Sequence, residues 1–133
     1  MSHLLDVSFL LACAWETHER HGAARAWLEK QASFATCTLS QLGFLRVSLT
    51  PAFRATFADA QAALADILER RGTRFLADDV PITRLSSYSI VTHADVTDAY
   101  LIELSRAHHL KLATLDDALC AKKWAAATAV NPL

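Results

Sequence analysis

Segments with strand-like and helix-like patterns alternate along this chain. Strands are expected at residues 3–6, 34–37, 73–77 and 110–114, with a short final strand at 127–130. Helices are expected between them, at 8–15, 19–31, 40–49, 57–71, 96–109 and 117–124; residues 81–90 fit neither pattern. Such alternation favours an α/β sandwich in which helices flank a mainly parallel central sheet.

Several helix boundaries have sequence signals of their own. Thr17 can cap the second helix and Asp95 the helix at 96–109, since short polar side chains accept hydrogen bonds from the first turn. Pro51 should stop the helix at 40–49, and Gly72 should follow the end of the helix at 57–71. These signals divide the chain without indicating a linker, so residues 1–133 are expected to form a single domain.

The composition limits the classes of function. The chain carries 13 basic and 14 acidic side chains, so its net charge of −1 provides no overall positive field for nucleic acid. The three cysteines are far apart and form no C-x-x-C pair, which makes a zinc knuckle improbable. We expect Cys13 and Cys37 to be buried core residues. Without a signal peptide pattern or a long apolar run, a cytoplasmic protein with no membrane segment is expected.

Three aspartates stand where the α/β pattern would bring them together. Asp6 and Asp116 follow predicted strands, and Asp98 lies in the first turn of a predicted helix. In parallel sheets, ligands collect beyond the carboxyl ends of the strands. Each residue has a simpler interpretation as a helix cap or cap partner, and for Asp98 alone that interpretation is favoured. The three together are better evidence for a site than any one of them.

Converging carboxylates repel one another unless a cation or a proton relieves the repulsion. An oxygen-only ligand set suits a hard divalent ion such as Mg²⁺ or Mn²⁺. Such an ion can activate a water for attack on a phosphodiester and stabilise the charge that develops on the phosphate. His18 and His21 also have a spacing that suits two metal ligands, but no third nitrogen or sulfur ligand lies near them in sequence, so a solvated helix face is favoured.

Four motifs in series resemble a known family. They read LLDVS at 4–8, GFLRV at 43–47, TDAYL at 97–101 and LATLD at 112–116. Over nearly its full length, the chain resembles the PIN-domain toxins of the VapC type, which come from bacterial toxin–antitoxin pairs. The resemblance implies a PIN-like three-layer sandwich and RNA cleavage that depends on Mg²⁺ or Mn²⁺. It also implies a cognate antitoxin as partner, and frequent homodimers.

The resemblance assigns roles to individual residues. It implies that Asp6, Asp98 and Asp116 bind the metal and carry catalysis, and that Ser8 supports the first acid by a hydrogen bond. Thr114 is expected to support Asp116 in the same way. For both hydroxyls, satisfying the backbone at a strand end is an equally good interpretation.

Position 41 departs from the family pattern. Gln41 stands where glutamate is frequent, and an amide can neither act as a base nor add negative charge. Its carbonyl oxygen can still orient a metal-bound water. The alternative hypothesis is therefore a catalytically weak PIN-like protein that binds RNA or a partner protein.

Overall fold

The computed structural model describes residues 2–85, 90 and 92–133, so residues 86–89 of the segment without a clear pattern lie outside the described residues. The strands are β1 (His3–Leu5), β2 (Phe34–Cys37), β3 (Thr73–Leu76), β4 (Lys111–Ala113) and β5 (Ala129–Val130). The α-helices are α1 (Val7–Ala14), α2 (His21–Glu29), α3 (Thr38–Ser48), α4 (Phe57–Leu68), α5 (Asp95–Ala107) and α6 (Asp117–Ala121). A short 3₁₀ helix spans Ile82–Arg84.

The strands form one sheet in the order β3-β2-β1-β4-β5, and every recorded pair is parallel. The predicted α/β sandwich with a mainly parallel sheet is therefore confirmed. Because all strands run the same way, their carboxyl ends meet at one edge of the sheet. β1 lies directly beside β4, with Leu5 opposite Ala113, so the residues that follow these two strands are neighbours.

The core has two halves, one on each face of the sheet. Successive residues of β1 point to opposite faces: Leu4 packs in the half that contains Leu101 and Leu104 of α5, and Leu5 in the half that contains Phe9 and Phe44. Cys13 and Cys37 are buried as predicted, and burial raises the pKa of the Cys13 thiol to about 12. No helix in the described part of the chain is long and apolar enough to span a membrane.

The boundary predictions for Thr17 and Gly72 were wrong. Thr17 lies in the turns before α2, whose N-cap is Arg20 without a side-chain cap bond. Gly72 does not follow α4 directly, because that helix ends at Leu68 and is capped by Glu69. Gly72 instead makes the turn into β3 with φ +84°, and a Cβ there would lie 2.1 Å from the Ala32 carbonyl oxygen. Glycine is needed at that position for the turn rather than for the helix.

Candidate active site at the carboxyl edge of the sheet

Asp6 is the most firmly held acid of the site. Its backbone amide donates to the Ala113 carbonyl at 2.9 Å, which continues the pairing of β1 with β4. Its side chain caps α1, where Oδ1 accepts from the Val7 amide at 2.7 Å. The residue is only 8% exposed. The cap interpretation is thus correct, and it fixes the direction of a buried carboxylate at the sheet edge.

The hydroxyls of Thr114 and Ser8 complete the surroundings of Asp6. Thr114 Oγ1 donates to Asp6 Oδ2 at 2.7 Å, and Ser8 Oγ donates to the same oxygen at 3.4 Å. The two hydroxyl oxygens are 3.3 Å apart. Each also accepts from the backbone, Ser8 from the Leu115 amide and Thr114 from the Asp116 amide, both at 3.1 Å. Thr114 was expected to support Asp116, but its hydroxyl donates to Asp6 and accepts from the Asp116 backbone amide. The two hydroxyls therefore connect the end of the first strand to the end of the fourth.

The acidity of Asp6 reflects a balance of opposing effects. Burial raises its pKa, and the charge of Asp116 raises it further, whereas the hydrogen bonds from Thr114, Val7 and Ser8 lower it. The net direction is upward because desolvation of the carboxylate is the largest effect.

Asp98 approaches the same place from a different element. It lies in the first turn of α5 and is half-buried. Burial and the charges of Asp6 and Asp116 raise its pKa to about 6, against the lowering effect of Lys122. The structure therefore brings Asp6, Asp98 and Asp116 within electrostatic reach of one another.

Asp116 is tied to the helix that follows it. Its Oδ1 accepts from the Leu119 amide at 3.1 Å as the N-cap of α6. The sequence offered capping and a place in an acidic site as alternatives for this residue. In the structure it caps the helix and also acts electrostatically on both other acids.

Gln41 lies in the N-terminal half of α3, directly after β2. Its side-chain amide donates to Thr36 Oγ1 of β2 at 3.0 Å. Gly43 packs close to the start of α1, since a Cβ there would be 2.4 Å from Val7 Cγ2. The segment that carries Gln41 therefore lies beside the residue that follows Asp6, although the hydrogen bond of Gln41 goes to a threonine rather than to an acid.

Sequence reasoning missed two charged residues next to the acids. Asp95 is 6% exposed, and its Oδ1 lies 2.5 Å from Lys122 Nζ. Asp95 is also the first residue of α5 rather than its cap, and its Oδ2 accepts from the Thr92 amide at 3.1 Å. An aspartate at a helix start and a lysine 27 positions later give no local signal of pairing.

The donor set suits a hard cation that keeps part of its water. Across residues 2–85, 90 and 92–133, no three His, Cys, Asp or Glu side chains are grouped closely enough to hold an ion by themselves. Mg²⁺ typically uses one or two carboxylates, several waters and a substrate phosphate. The charges of Asp6 and Asp116 raise the pKa of Asp98, so the three carboxylates repel one another. A bound cation such as Mg²⁺ would reduce this repulsion.

The histidine pair makes other contacts. His18 Nδ1 accepts from the Arg20 amide at 3.0 Å, and His21 Nδ1 lies 2.8 Å from the Ala12 carbonyl oxygen. These contacts give both rings a structural role in the turn before α2 and in its packing on α1.

Comparison with known proteins gives a consistent result. A family profile described as the PIN domain matches residues 3–125. Ribonuclease VapC38 of Mycobacterium tuberculosis is 40% identical over 118 residues, which cover 85% of this chain and 84% of that protein. Ribonuclease VapC39 of the same species is 35% identical over 127 residues, with 90% and 91% covered.

Two solved structures share the fold. The crystal structure of Mycobacterium tuberculosis VapC20, described as a sarcin-ricin loop cleaving toxin, has a TM-score of 0.69 and 19% identity, and the match covers 98% of this chain and 97% of that one. VapBC2 from Rickettsia felis, solved bound to a DNA fragment from its promoter, has a TM-score of 0.61 and 10% identity, with 93% and 95% covered. At these identities the two structures support the fold alone.

Proposed function

Because the chain belongs to the PIN-domain family, as a toxin of the VapC type, we propose that it is an endoribonuclease that hydrolyses RNA phosphodiester bonds. The observation that supports this proposal is that Asp6, Asp98 and Asp116 follow β1, begin α5 and follow β4 at the carboxyl edge of the sheet, within electrostatic reach of one another. The relatives named as ribonucleases do not favour the alternative of a purely binding protein.

The three aspartates are the residues proposed to hold Mg²⁺ or Mn²⁺. Asp6 and Asp98 would bind the first ion, and Asp116 would lie nearer a second. When bound, such an ion polarises a phosphate oxygen and lowers the pKa of an attacking water. Gln41 is proposed to orient water beside this site.

The protein's own contribution is to fix the carboxylates before substrate arrives. Thr114 and Ser8 hold the Oδ2 side of Asp6, while the Val7 amide holds Oδ1. The carboxylate therefore does not need to reorient when phosphate binds, and pre-organised charge of this kind accounts for much of the rate enhancement in many enzymes.

The proposed partner is a cognate antitoxin that covers the acidic site at rest. A free ribonuclease would damage its host, and the negative charge of the site favours an inserted arginine or lysine that pairs with the carboxylates. Binding of the purified antitoxin should weaken when all three aspartates are changed to asparagine. Equal binding to this triple variant would refute the charge part of the proposal.

A homodimer is the proposed assembly. The surface that supports it is a cavity of about 430 Å³ whose rim includes the exposed apolar side chains of Leu39, Ile82 and Val96. Ile82 is 71% exposed and lies beside the other two, and a contiguous exposed apolar patch is typical of a protein interaction site. Ile82→Lys should shift the sedimentation coefficient to that of a monomer, and an unchanged dimer would exclude this surface.

Cleavage of a labelled single-stranded RNA tests the activity. The protein, freed of antitoxin and stripped of metal, should cleave after addition of Mn²⁺ or Mg²⁺ and remain inactive in excess chelator. Zn²⁺ should support less activity, since oxygen-only sites favour harder ions. Asp98→Asn protein prepared in parallel controls for contaminating nucleases. Cleavage that persists in chelator, or that Asp98→Asn retains, would overturn the proposal.

A further inference from the structure

Lys122 places a positive charge beside the acidic site. It directly follows α6, the short helix that Asp116 caps. Its Nζ lies 2.5 Å from Oδ1 of Asp95, at the start of α5. Asp95 and Asp98 are three positions apart on that helix, so their side chains occupy one face. The ammonium is therefore anchored one helical turn from the half-buried acid.

The anchor itself is well ordered by its surroundings. Asp95 is buried, and its second oxygen accepts from the Thr92 amide at 3.1 Å. The Lys122 side chain remains 38% exposed. The Lys122 ammonium also lies 5.6 Å from the centroid of the Trp124 ring. An ammonium has three N–H donors, and the contact with Asp95 uses only one of them. The arrangement holds the charge in place while leaving it open to solvent.

Lys122 also acts on the acids electrostatically. Its positive charge lowers the pKa of Asp98, which burial and the nearby acidic charges raise. The hydrogen bond with Asp95 raises the pKa of Lys122 most, and the charges of Asp95, Asp98 and Asp116 add to that rise. The lysine thus keeps its proton and its charge next to the proposed cleavage site.

A structural tie between α5 and α6 would explain the contact with Asp95 but not the exposed position beside the acids. An acidic site repels the RNA backbone, and a protein of net charge −1 has no general positive field to offset this. A fixed lysine at the site can contact a phosphate as a point charge.

We propose that Lys122 binds an RNA phosphate beside the scissile bond and that the buried Asp95 positions its ammonium for this contact. The inference rests on the proposed ribonuclease function and adds a substrate-binding residue to it. No bond is made or broken by Lys122. Its role is to offset the repulsion between the carboxylates and the backbone of the substrate.

The test compares Lys122→Met with Lys123→Met. Lys123 is the adjacent, exposed lysine, so its substitution removes the same charge from the neighbouring position. Affinity for a fluorescent single-stranded RNA is measured by anisotropy in chelator over a range of salt concentrations. Loss of one phosphate contact should lower the slope of log affinity against log salt by roughly 0.7. Lys122→Arg should restore the slope, since it keeps the charge.

Kinetics and metal binding separate this role from a structural one. In Mn²⁺, Lys122→Met should raise KM for RNA about 10-fold, the lower end of what one hydrogen bond to a charged group contributes, with a smaller change in kcat. Mn²⁺ affinity, measured without RNA by electron paramagnetic resonance, should stay equal or become tighter, because a neighbouring positive charge has been removed. Asp95→Asn should give an intermediate rise in KM.

Each result decides the matter. An equal salt slope for Lys122→Met and Lys123→Met would overturn the inference, as would a loss of thermal stability without any change in KM or slope. An inactive wild-type protein that still loses RNA affinity through Lys122→Met would refute the ribonuclease function and leave phosphate binding by Lys122 supported. Cleavage by the wild type with no effect of Lys122→Met would support the ribonuclease function and refute phosphate binding by Lys122.

Discussion

Asp6 and Asp98 belong to one site but are held in different ways. Asp6 is buried and receives hydrogen bonds from Val7, Ser8 and Thr114, so its position is set by the first turn of α1 and by the residue that follows β4. Asp98 is half-buried on a helix, where burial and the charges of Asp6 and Asp116 oppose its ionisation and the charge of Lys122 favours it. Hydrogen bonds fix the geometry of Asp6, whereas the ionisation of Asp98 changes with the charges that bind beside it.

Removal of the charge at Asp98 should have the largest effect on activity. Loss of a residue that merely supports a metal ligand costs about 10–100-fold, so loss of a direct ligand in Asp98→Asn should cost more than about 100-fold. The thermal unfolding temperature of the metal-free variant should match or exceed that of the wild type, because like-charge repulsion is relieved. An active variant, or one that fails to fold, would contradict this assignment.

Loss of the hydrogen bond that supports Asp6 should have the next largest effect on activity. Thr114→Val removes the 2.7 Å hydrogen bond to Asp6 and the bond from the Asp116 amide. We expect a loss of roughly 10–100-fold in kcat/KM and of about 1–3 kcal/mol in the free energy of unfolding. Thr128→Val is the matched control, since Thr128 is also buried and hydrogen-bonded but accepts from Arg106. It should lose stability without loss of activity; equal activity losses would contradict the role of Thr114.

Gln41→Glu should restore the charge typical of the family. A fourth carboxylate should tighten divalent-ion binding by on the order of 1 kcal/mol, or several-fold in affinity. The gain in cleavage should be clearest at low metal concentration, where the second ion limits the reaction. A metal titration of both proteins on one RNA substrate measures this. No gain at any concentration would show that position 41 does not face the metal.

The pH dependence of metal-free stability should show the smallest effect. The pKa of Asp98 is about 6 in the folded protein, above its ordinary value, so folding disfavours its ionised form. Its stabilising contribution is complete below about pH 4 and is lost as the pH rises through about 6. Because the side chain is partly solvated, the loss should be about 1 kcal/mol rather than the full shift.

The difference in unfolding free energy between Asp98→Asn and wild type isolates this contribution from the other carboxylates. Measured in chelator from pH 4 to pH 8, the difference should move in favour of the variant as the pH rises. A difference that is constant with pH would mean that neither burial nor the other acids raise the pKa of Asp98 in the folded protein.

The sequence predicted the sheet because its strands are short apolar segments bounded by local signals. It also placed Asp6 and Asp116 correctly at strand ends, where the parallel arrangement brings them together. Treating capping and interaction with the other acids as alternatives was too narrow, since both aspartates cap helices and both also raise the pKa of Asp98. Each cap bond uses one carboxylate oxygen, and the second oxygen of Asp6 accepts from the hydroxyls of Thr114 and Ser8.

Pairings between distant parts of the chain could not be predicted. Asp95 looked like a helix cap but forms an ion pair with Lys122, 27 positions later. The hydrogen bond of Gln41 is local, to Thr36 on the preceding strand, but it depends on how α3 packs after β2. Thr17 had the right residue type for a cap, yet the turn that ends α1 continues beyond it. These outcomes depend on packing between elements, which local residue patterns do not record.

Paramagnetic broadening by Mn²⁺ tests the central claim most directly, because it locates the metal without relying on activity. In a ¹⁵N-labelled, antitoxin-free protein, substoichiometric Mn²⁺ should first broaden the amide signals of Val7, Ala99 and Asp117, which follow the three proposed ligands. Asp98→Asn should require more Mn²⁺ for the same broadening. Broadening that begins instead around His18 and His21, or that leaves any one of the three amides unaffected, would contradict a metal site built from Asp6, Asp98 and Asp116.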